Sequence, residues 1–380
     1  MDFSFTEEQK MLRSTVRAFA NKELEPIAAQ IDETMEFPYE SWRKIAELGL
    51  PGIIFPEEYG GSGGGPIEFT IVVEELARVC AATSLTYVCV GLAGKPLFRF
   101  SNEDQRQRFV TPVAKGEKLI CFALTEPGAG SDATAIQTTA KRQNGGYVIN
   151  GNKIFITNGG VADIAVVFAT LDKSKRHKGI TAFIVEKGTP GFSVGKLEHK
   201  LGMRASSTAE LIFEDCFVPE ANRLGGEGEG FKVAIEAIDS SRVSVAAQAL
   251  GIAQAAFDKA LAYAKERQQF GQPIANFQAI QWMLADMATK IESIRLLTYR
   301  AAYLDQNHLP SLKESCMAKV FAPQAALFVA DKAVQIFGGY GYIKEYPIER
   351  YFRDVRICSI YEGTDEMQRM TIARQLMQEG

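Results

Sequence analysis

Tyr147-Val148-Ile149-Asn150-Gly151-Asn152-Lys153-Ile154-Phe155-Ile156-Thr157 is the stretch on which the fold turns. Two short runs of β-branched and aromatic residues flank Asn-Gly, a dipeptide that supplies the positive φ angles of a two-residue hairpin turn. The stretch reads as two strands around a tight hairpin. Further short β-type runs follow at 164–169, 180–185 and 211–213, punctuated by Gly and Asn, with no long helical pattern between them. They assemble into a small antiparallel β domain over residues 119–229.

Outward from that block the period lengthens to that of helices. Thr6 and Gln9 have capping-box spacing ahead of Met11, Leu12, Val16 and Phe19, and helical patterns recur over 39–48, 67–79 and 103–115. Residues 1–118 read as a helical domain. Past Gly230, the patterns at 231–267, 278–307 and 311–337 are long, and 364–375 closes the chain. Residues 230–380 therefore read as a helical bundle. The fold class is α+β and multi-domain, without the alternating βαβ pattern of a Rossmann fold. Gly60-Gly61-Ser62-Gly63-Gly64-Gly65 has no strand before it, so it reads as a solvated connection and not a phosphate loop.

Composition narrows the function. The chain has 380 residues, 46% hydrophobic and 23% charged, the balance of a globular protein. A formal net charge of −4 argues against nucleic acid as the main partner, because phosphate backbones want a basic surface. Six scattered cysteines without a CxxC pair suggest neither a zinc site nor a disulfide framework, and they fit a reducing cytoplasm. Met1-Asp2-Phe3-Ser4-Phe5-Thr6 shows no signal-peptide pattern, as expected for a bacterial cytoplasmic chain; a processed mitochondrial chain would read the same. No run approaches the ~20 apolar residues of a membrane span. His177, His199 and His308 lie in polar stretches outside any metal-ligand pair, and neither GxSxG nor a P-loop occurs. Hydrolytic and phosphoryl-transfer chemistry lose their support.

What remains is glycine-rich and carboxylate-bearing. Thr125-Glu126-Pro127-Gly128-Ala129-Gly130-Ser131-Asp132 offers hydroxyls and open N–H groups to a flat or anionic ligand, although any tight loop looks similar. Gln335-Ile336-Phe337-Gly338-Gly339-Tyr340-Gly341 ends a helical pattern and, taken alone, reads as a C-cap with a turn. Tyr361-Glu362-Gly363-Thr364 sets a carboxylate on a turn before the last helix. That glutamate is either a solvated loop charge or a buried group whose pKa rises toward that of a general base.

Together these segments resemble the acyl-CoA dehydrogenase family over essentially the whole chain. The likeness is carried by 124–132, by Ile154-Phe155-Ile156-Thr157-Asn158-Gly159-Gly160, by Arg267-Gln268-Gln269-Phe270-Gly271, by 335–340 and by 361–364, in the family's order and spacing. The resemblance implies an N-terminal α domain, a middle β domain and a C-terminal four-helix bundle. It also implies a homotetramer, built as a dimer of dimers, with FAD extended between the β domain of one subunit and the bundle of another. Phe122, Leu124, Thr125, Ser131, Phe155, Ile156 and Thr157 would hold the flavin and ribityl end. Arg267, Phe270, Gln278, Gln335, Gly338 and Gly339 of the neighbouring subunit would hold the pyrophosphate and adenosine end, with Thr364 and Glu366 completing the pocket. Ser131, Asp239, Arg242, Tyr361 and Gly363 are implied for the acyl-CoA.

Family members carry their base either on a bundle helix, at the position of Ser241, or in the Tyr-Glu-Gly-Thr motif. Serine cannot serve as that carboxylate, so the resemblance makes Glu362 the group that removes the α-proton while flavin N5 accepts the β-hydride. Electrons would pass to electron-transferring flavoprotein. Residues 245–254 resemble the short-chain (butyryl-CoA) branch. Gly91, Ala93 and Gly94 are small, leaving two alternatives: room for a branched or alicyclic acyl group, or close helix packing. Other readings are an acyl-CoA oxidase, whose chains generally carry an additional C-terminal region, and a non-catalytic flavin-fold protein, expected to lose Glu362, Thr157 or Arg267.

Overall fold

Thr6 caps the first helix, Glu7–Phe19, as its spacing predicts. Its hydroxyl accepts from the Gln9 N–H at 3.2 Å, and the Gln9 side chain accepts from the Thr6 N–H at 3.1 Å. This computed structural model describes residues 4–378; Met1 to Phe3, part of the N-terminal segment read above, lie outside the described residues. Helices Tyr39–Glu47 and Pro66–Ala77 follow the periods in the sequence. Ala81–Cys89 and Lys95–Phe100 form a further helical run joined by a wide turn at Val90–Gly94. It is buried almost all round, so it carries no amphipathic period to read.

Gly91 and Gly94 belong to that run, and the packing alternative holds for both. A Cβ at Gly91 would lie 2.8 Å from the Phe69 ring, and one at Gly94 would lie 2.8 Å from the Phe55 ring. Phe69 is itself buried and stacked on Tyr87 at 4.7 Å, so it has nowhere to retreat. These positions add no room for a branched acyl group. Gly91→Ala is expected to cost about 1–3 kcal/mol by overpacking. Thermal unfolding should show it as a lower midpoint, with acyl preference unchanged.

The middle region is one eight-stranded sheet. Its strands are β1 (Ile120–Ala123), β2 (Thr139–Gln143), β3 (Gly146–Thr157), β4 (Ile164–Thr170), β5 (Ile180–Glu186), β6 (Phe192–Leu197), β7 (Thr208–Pro219) and β8 (Arg223–Leu224). The order is β6-β7-β3-β2-β4-β5-β8, with β1 also on β4. Most neighbours are antiparallel, but β1 and β4 run parallel from Ile120↔Ile164, and β2 meets β4 in parallel at Thr139↔Thr170. The sheet is therefore mixed where the sequence suggests antiparallel pairing alone. β1 is free to lie beside β4 because the whole β2–β3 hairpin intervenes between them in the chain, and parallel neighbours need such a crossover.

The expected hairpin at Asn150-Gly151 is not one. Residues 146–157 are a single strand, with register shifts against β7 between Ile149 and Gly151 and again between Lys153 and Ile156. Gly151 has φ 145, and the Asn150 side chain bonds across to β7, accepting from the Asp215 N–H at 2.8 Å. The turn is made instead by Asn144 (φ 44) and Gly145 (φ 77), between β2 and β3. Both sites are Asn-Gly; the polar face of β2 hides the true one.

In the C-terminal region, helices Gly230–Glu266, Gln278–Gln306, Leu312–Phe337 and Asp365–Gln378 pack side by side. Glu74 ties the 66–77 helix to them, accepting from Arg295 Nη1 at 2.5 Å and from the Tyr299 hydroxyl at 2.6 Å. The 312–337 helix, with its continuation to Gly341, is long and apolar enough to cross a membrane by length and composition. Half of it is buried within the protein, and burial against the 230–266 helix accounts for its apolar composition.

Candidate active site

Glu362 sits at φ 54 and Gly363 at φ 85, two consecutive residues in the left-handed region just ahead of the last helix. A glutamate rarely adopts that conformation unless its surroundings hold it there. Here three side-chain bonds do so. Lys319 Nζ donates to the Gly363 carbonyl at 2.6 Å, and Gln368 Nε2 donates to the carbonyls of Glu362 and Gly363 at 3.0 Å each. The preceding residue is fixed by the Tyr361 hydroxyl, which donates to Gln248 on the 230–266 helix.

The turn points its carboxylate at that same helix. Ser241 Oγ lies 2.6 Å from Glu362 Oε2. The residue as a whole is partly exposed, but its carboxylate is enclosed, and burial pushes its pKa above the ordinary glutamate value. The Ser241 hydroxyl, Lys319 and Arg242 oppose that rise. Arg242 is buried, its Nη1 2.7 Å from Asp239, and its Nε has no hydrogen-bond partner among the described residues. A cleft of about 750 Å³ opens beside Asp239, Ser240 and Val243, with Lys95 and Phe98 on its other wall.

A second cluster lies on the sheet. Lys153 is fully buried; its Nζ donates to the Leu124 carbonyl at 3.0 Å and to Glu126 Oε1 at 2.7 Å. Burial pulls its pKa down to about 8, with Glu126 opposing. Glu126 also accepts from the N–H groups of Gln137 and Thr138. This knot pins the 124–132 loop to the half of β3 that carries Phe155, Ile156 and Thr157. Phe155 is 61% exposed at φ 56, Ser131 is exposed, and Phe122, Thr125 and Thr157 are partly so. Leu124 and Ile156 turn their side chains into the core, leaving only main-chain atoms for a ligand.

Arg267, Phe270, Gln278, Gln335, Gly338 and Gly339 lie elsewhere, exposed at one end of the bundle. Arg267 covers the Tyr340 ring at 5.7 Å, and Phe270 is 92% exposed. Among the described residues, no hydrogen bond, ion pair or ring contact joins this group to Phe155, Thr157 or Glu362. Thr364 caps the last helix, its hydroxyl accepting from the Met367 N–H at 3.4 Å, and Glu366 is exposed beside it. His177, His199 and His308 are all exposed.

Three family descriptions match consecutive parts of the chain: acyl-CoA dehydrogenase N-terminal domain at 6–117, middle domain at 121–216 and C-terminal domain at 228–377. The short-chain specific acyl-CoA dehydrogenase of Clostridium acetobutylicum is 52% identical over 98% of this chain and 99% of its own length. The chain belongs to the acyl-CoA dehydrogenase family. The butyryl-CoA dehydrogenase structure from Megasphaera elsdenii has a TM-score of 0.98 at 46% identity, covering 99% of this chain and all of that one. A chain in a structure of the electron transferring flavoprotein of Acidaminococcus fermentans has a TM-score of 0.98 at 50% identity, with coverage of 99% and 100%.

Acyl-CoA dehydrogenases are FAD-dependent oxidoreductases. The residues here fit that cofactor: large aromatic faces stand uncovered at Phe155 and Phe270, and Arg267 is unpaired by any carboxylate among the described residues. At Gly128, Gly130, Gly338 and Gly339 an added Cβ would meet nothing within 4 Å, so the main chain faces open space. Sequence reasoning about this acyl-CoA dehydrogenase missed Lys319, Gln248, Gln368 and the Lys153–Glu126 pair. A lone lysine inside the apolar run Cys316-Met317-Ala318-Lys319-Val320-Phe321-Ala322 was the available signal for the first.

Proposed function

We propose that this chain dehydrogenates a short, butyryl-like acyl-CoA to the trans-2-enoyl-CoA, with Glu362 as the base that takes the α-proton. The observation that carries this reading is the enclosed Glu362 carboxylate, held on a left-handed turn and lifted in pKa by burial. A base needs a fixed position and a pKa lifted from the ordinary carboxylate range; the turn supplies the first and burial works toward the second. The chemistry that FAD supplies when bound is acceptance of the β-hydride at flavin N5. Among the described residues, the Glu362 N–H makes no hydrogen bond, which leaves it free for the thioester carbonyl as an oxyanion-hole donor. Arg242, with its unsatisfied Nε, Asp239, Tyr361, Gly363 and Ser131 would line the path of the acyl-CoA.

Phe122, Thr125, Ser131, Phe155 and Thr157, with main-chain atoms of Leu124 and Ile156, would hold the flavin. Arg267, Phe270, Gln278, Gln335, Gly338 and Gly339 would hold the diphosphate and adenosine of the FAD seated on a neighbouring subunit, with Thr364 and Glu366 nearby. The separation of these groups within one chain supports a site shared across a homotetramer. Arg267→Ala is expected to lose FAD on dialysis, because its guanidinium pairs with phosphate oxygens in a forked geometry. Flavin content per chain, read by absorbance, checks this; unchanged content would contradict the contact.

Electron-transferring flavoprotein is the proposed acceptor, in keeping with the Acidaminococcus fermentans relative. Six free, buried cysteines suit a reducing compartment, and we place the enzyme in the cytoplasm. Anaerobic titration with a panel of acyl-CoAs tests the substrate. Bleaching of the flavin by butyryl-CoA ahead of branched, alicyclic and longer thioesters is expected. Bleaching by branched or alicyclic thioesters alone would move the substrate and keep the mechanism.

A further inference from the structure

We propose that Ser241 is a positioning residue that serves Glu362 in both of its protonation states, donating to the carboxylate and accepting from the carboxylic acid. The inference rests on Glu362 being the base. Ser241 Oγ lies 2.6 Å from Glu362 Oε2 and 2.9 Å from the Ile238 carbonyl, one helical turn earlier. A hydroxyl has one hydrogen and two lone pairs. It cannot donate to both acceptors at once, so the two short contacts define two states.

With Glu362 ionised, the Ser241 hydrogen turns to Oε2 in a charge-assisted bond. Once Glu362 has taken a proton, its own O–H donates to Ser241 Oγ. The serine hydrogen then turns to the Ile238 carbonyl, the ordinary resting place of a serine inside a helix. No heavy atom has to move. The base is thereby held in one place before and after it takes the proton, as a fixed reaction geometry requires.

The other groups around Glu362 do not act in this way. Arg242 on the 230–266 helix and Lys319 on the 312–337 helix are cations that favour the ionised form alone. Asp365 on the last helix lies 3.7 Å from Lys319. The Tyr361 hydroxyl is committed to Gln248, with Cys358 Sγ 3.7 Å away, and Cys89 on the 81–89 helix is a thiol whose pKa burial raises. Among the described residues, Ser241 alone hydrogen-bonds the Glu362 carboxylate, and its hydroxyl can reverse that bond.

The test is an infrared pH titration of the holoenzyme, with the Glu362 carboxyl band defined by its loss in Glu362→Gln. Ser241→Ala is expected to raise the midpoint of that band by about one pH unit, since the bond to the charged form is the stronger of the two. The band of the protonated form should also change position, because its O–H loses its acceptor. Ser241→Thr should restore both. An alanine variant that matches the parent in midpoint or band position, or a threonine variant that matches the alanine one, overturns the proposal. Rapid flavin bleaching in Glu362→Gln would instead remove the base assignment beneath it.

Discussion

Glu362→Gln is expected to keep its FAD and to lose flavin reduction by acyl-CoA about 10²–10⁴-fold, the contribution of a positioned general base. Glutamine has the same shape and can still accept from Ser241. The turn does not depend on the carboxylate, because Lys319 and Gln368 bind main-chain carbonyls. Only the capacity to take a proton is removed. Stopped-flow bleaching under anaerobic conditions checks the rate, and absorbance of the dialysed protein checks the flavin. The pH profile adds a second reading. Burial holds the Glu362 pKa above its usual value, so the proposed base is mostly ionised only above that raised pKa. In the parent, the bleaching rate should fall as pH drops through it, and the glutamine variant should lack that limb. Near-parental bleaching would place the base elsewhere.

Lys319→Met should damage both stability and rate. The ammonium is fully buried, donates to the Gly363 carbonyl at 2.6 Å and lies 3.7 Å from Asp365 Oδ1. Burial alone lowers the Lys319 pKa, and Asp365 works against that fall. Removing one partner of a buried pair leaves the other charge uncompensated, at a cost of about 3–5 kcal/mol. Thermal unfolding should show a clearly lower midpoint. The freed Gly363 carbonyl also lets the left-handed turn relax, and a shift of ~1 Å at the base can cost about 10²-fold in rate. A further sign is fixed by charge: Lys319 lowers the Glu362 pKa, so its loss should move the acid limb of bleaching to higher pH. A variant with parental stability, rate and limb would show that Lys319 does not hold the turn.

Much of this was legible from residues alone, and the exceptions share physical causes. The capping box at Thr6 and the long bundle helices follow local rules, and they stand where the periods put them. Asn150-Gly151 misled because Asn-Gly marks a sharp backbone feature without saying which; here it is a bulge, and Asn144-Gly145 makes the turn. The parallel β1–β4 pairing is a long-range choice that no local pattern encodes. Gly91 and Gly94 are ambiguous in sequence because the rings that fill the space beside them, Phe69 and Phe55, come from other parts of the chain.

At the site, the motif singles out Glu362 as the proposed base, while its enclosure by Ser241, Arg242 and Lys319 depends on elements more than 40 residues away in sequence. Lys153 and Glu126 look like strand and loop surface charges in the sequence. They prove to be a buried pair between two segments proposed to hold the flavin.

Removal of the α-proton in the step that bleaches the flavin is tested most directly by anaerobic bleaching of the holoenzyme with butyryl-CoA carrying deuterium in place of both α-hydrogens. The account predicts bleaching that is several-fold slower than with unlabelled substrate. Bleaching at an unchanged rate, or none with either substrate, would contradict it.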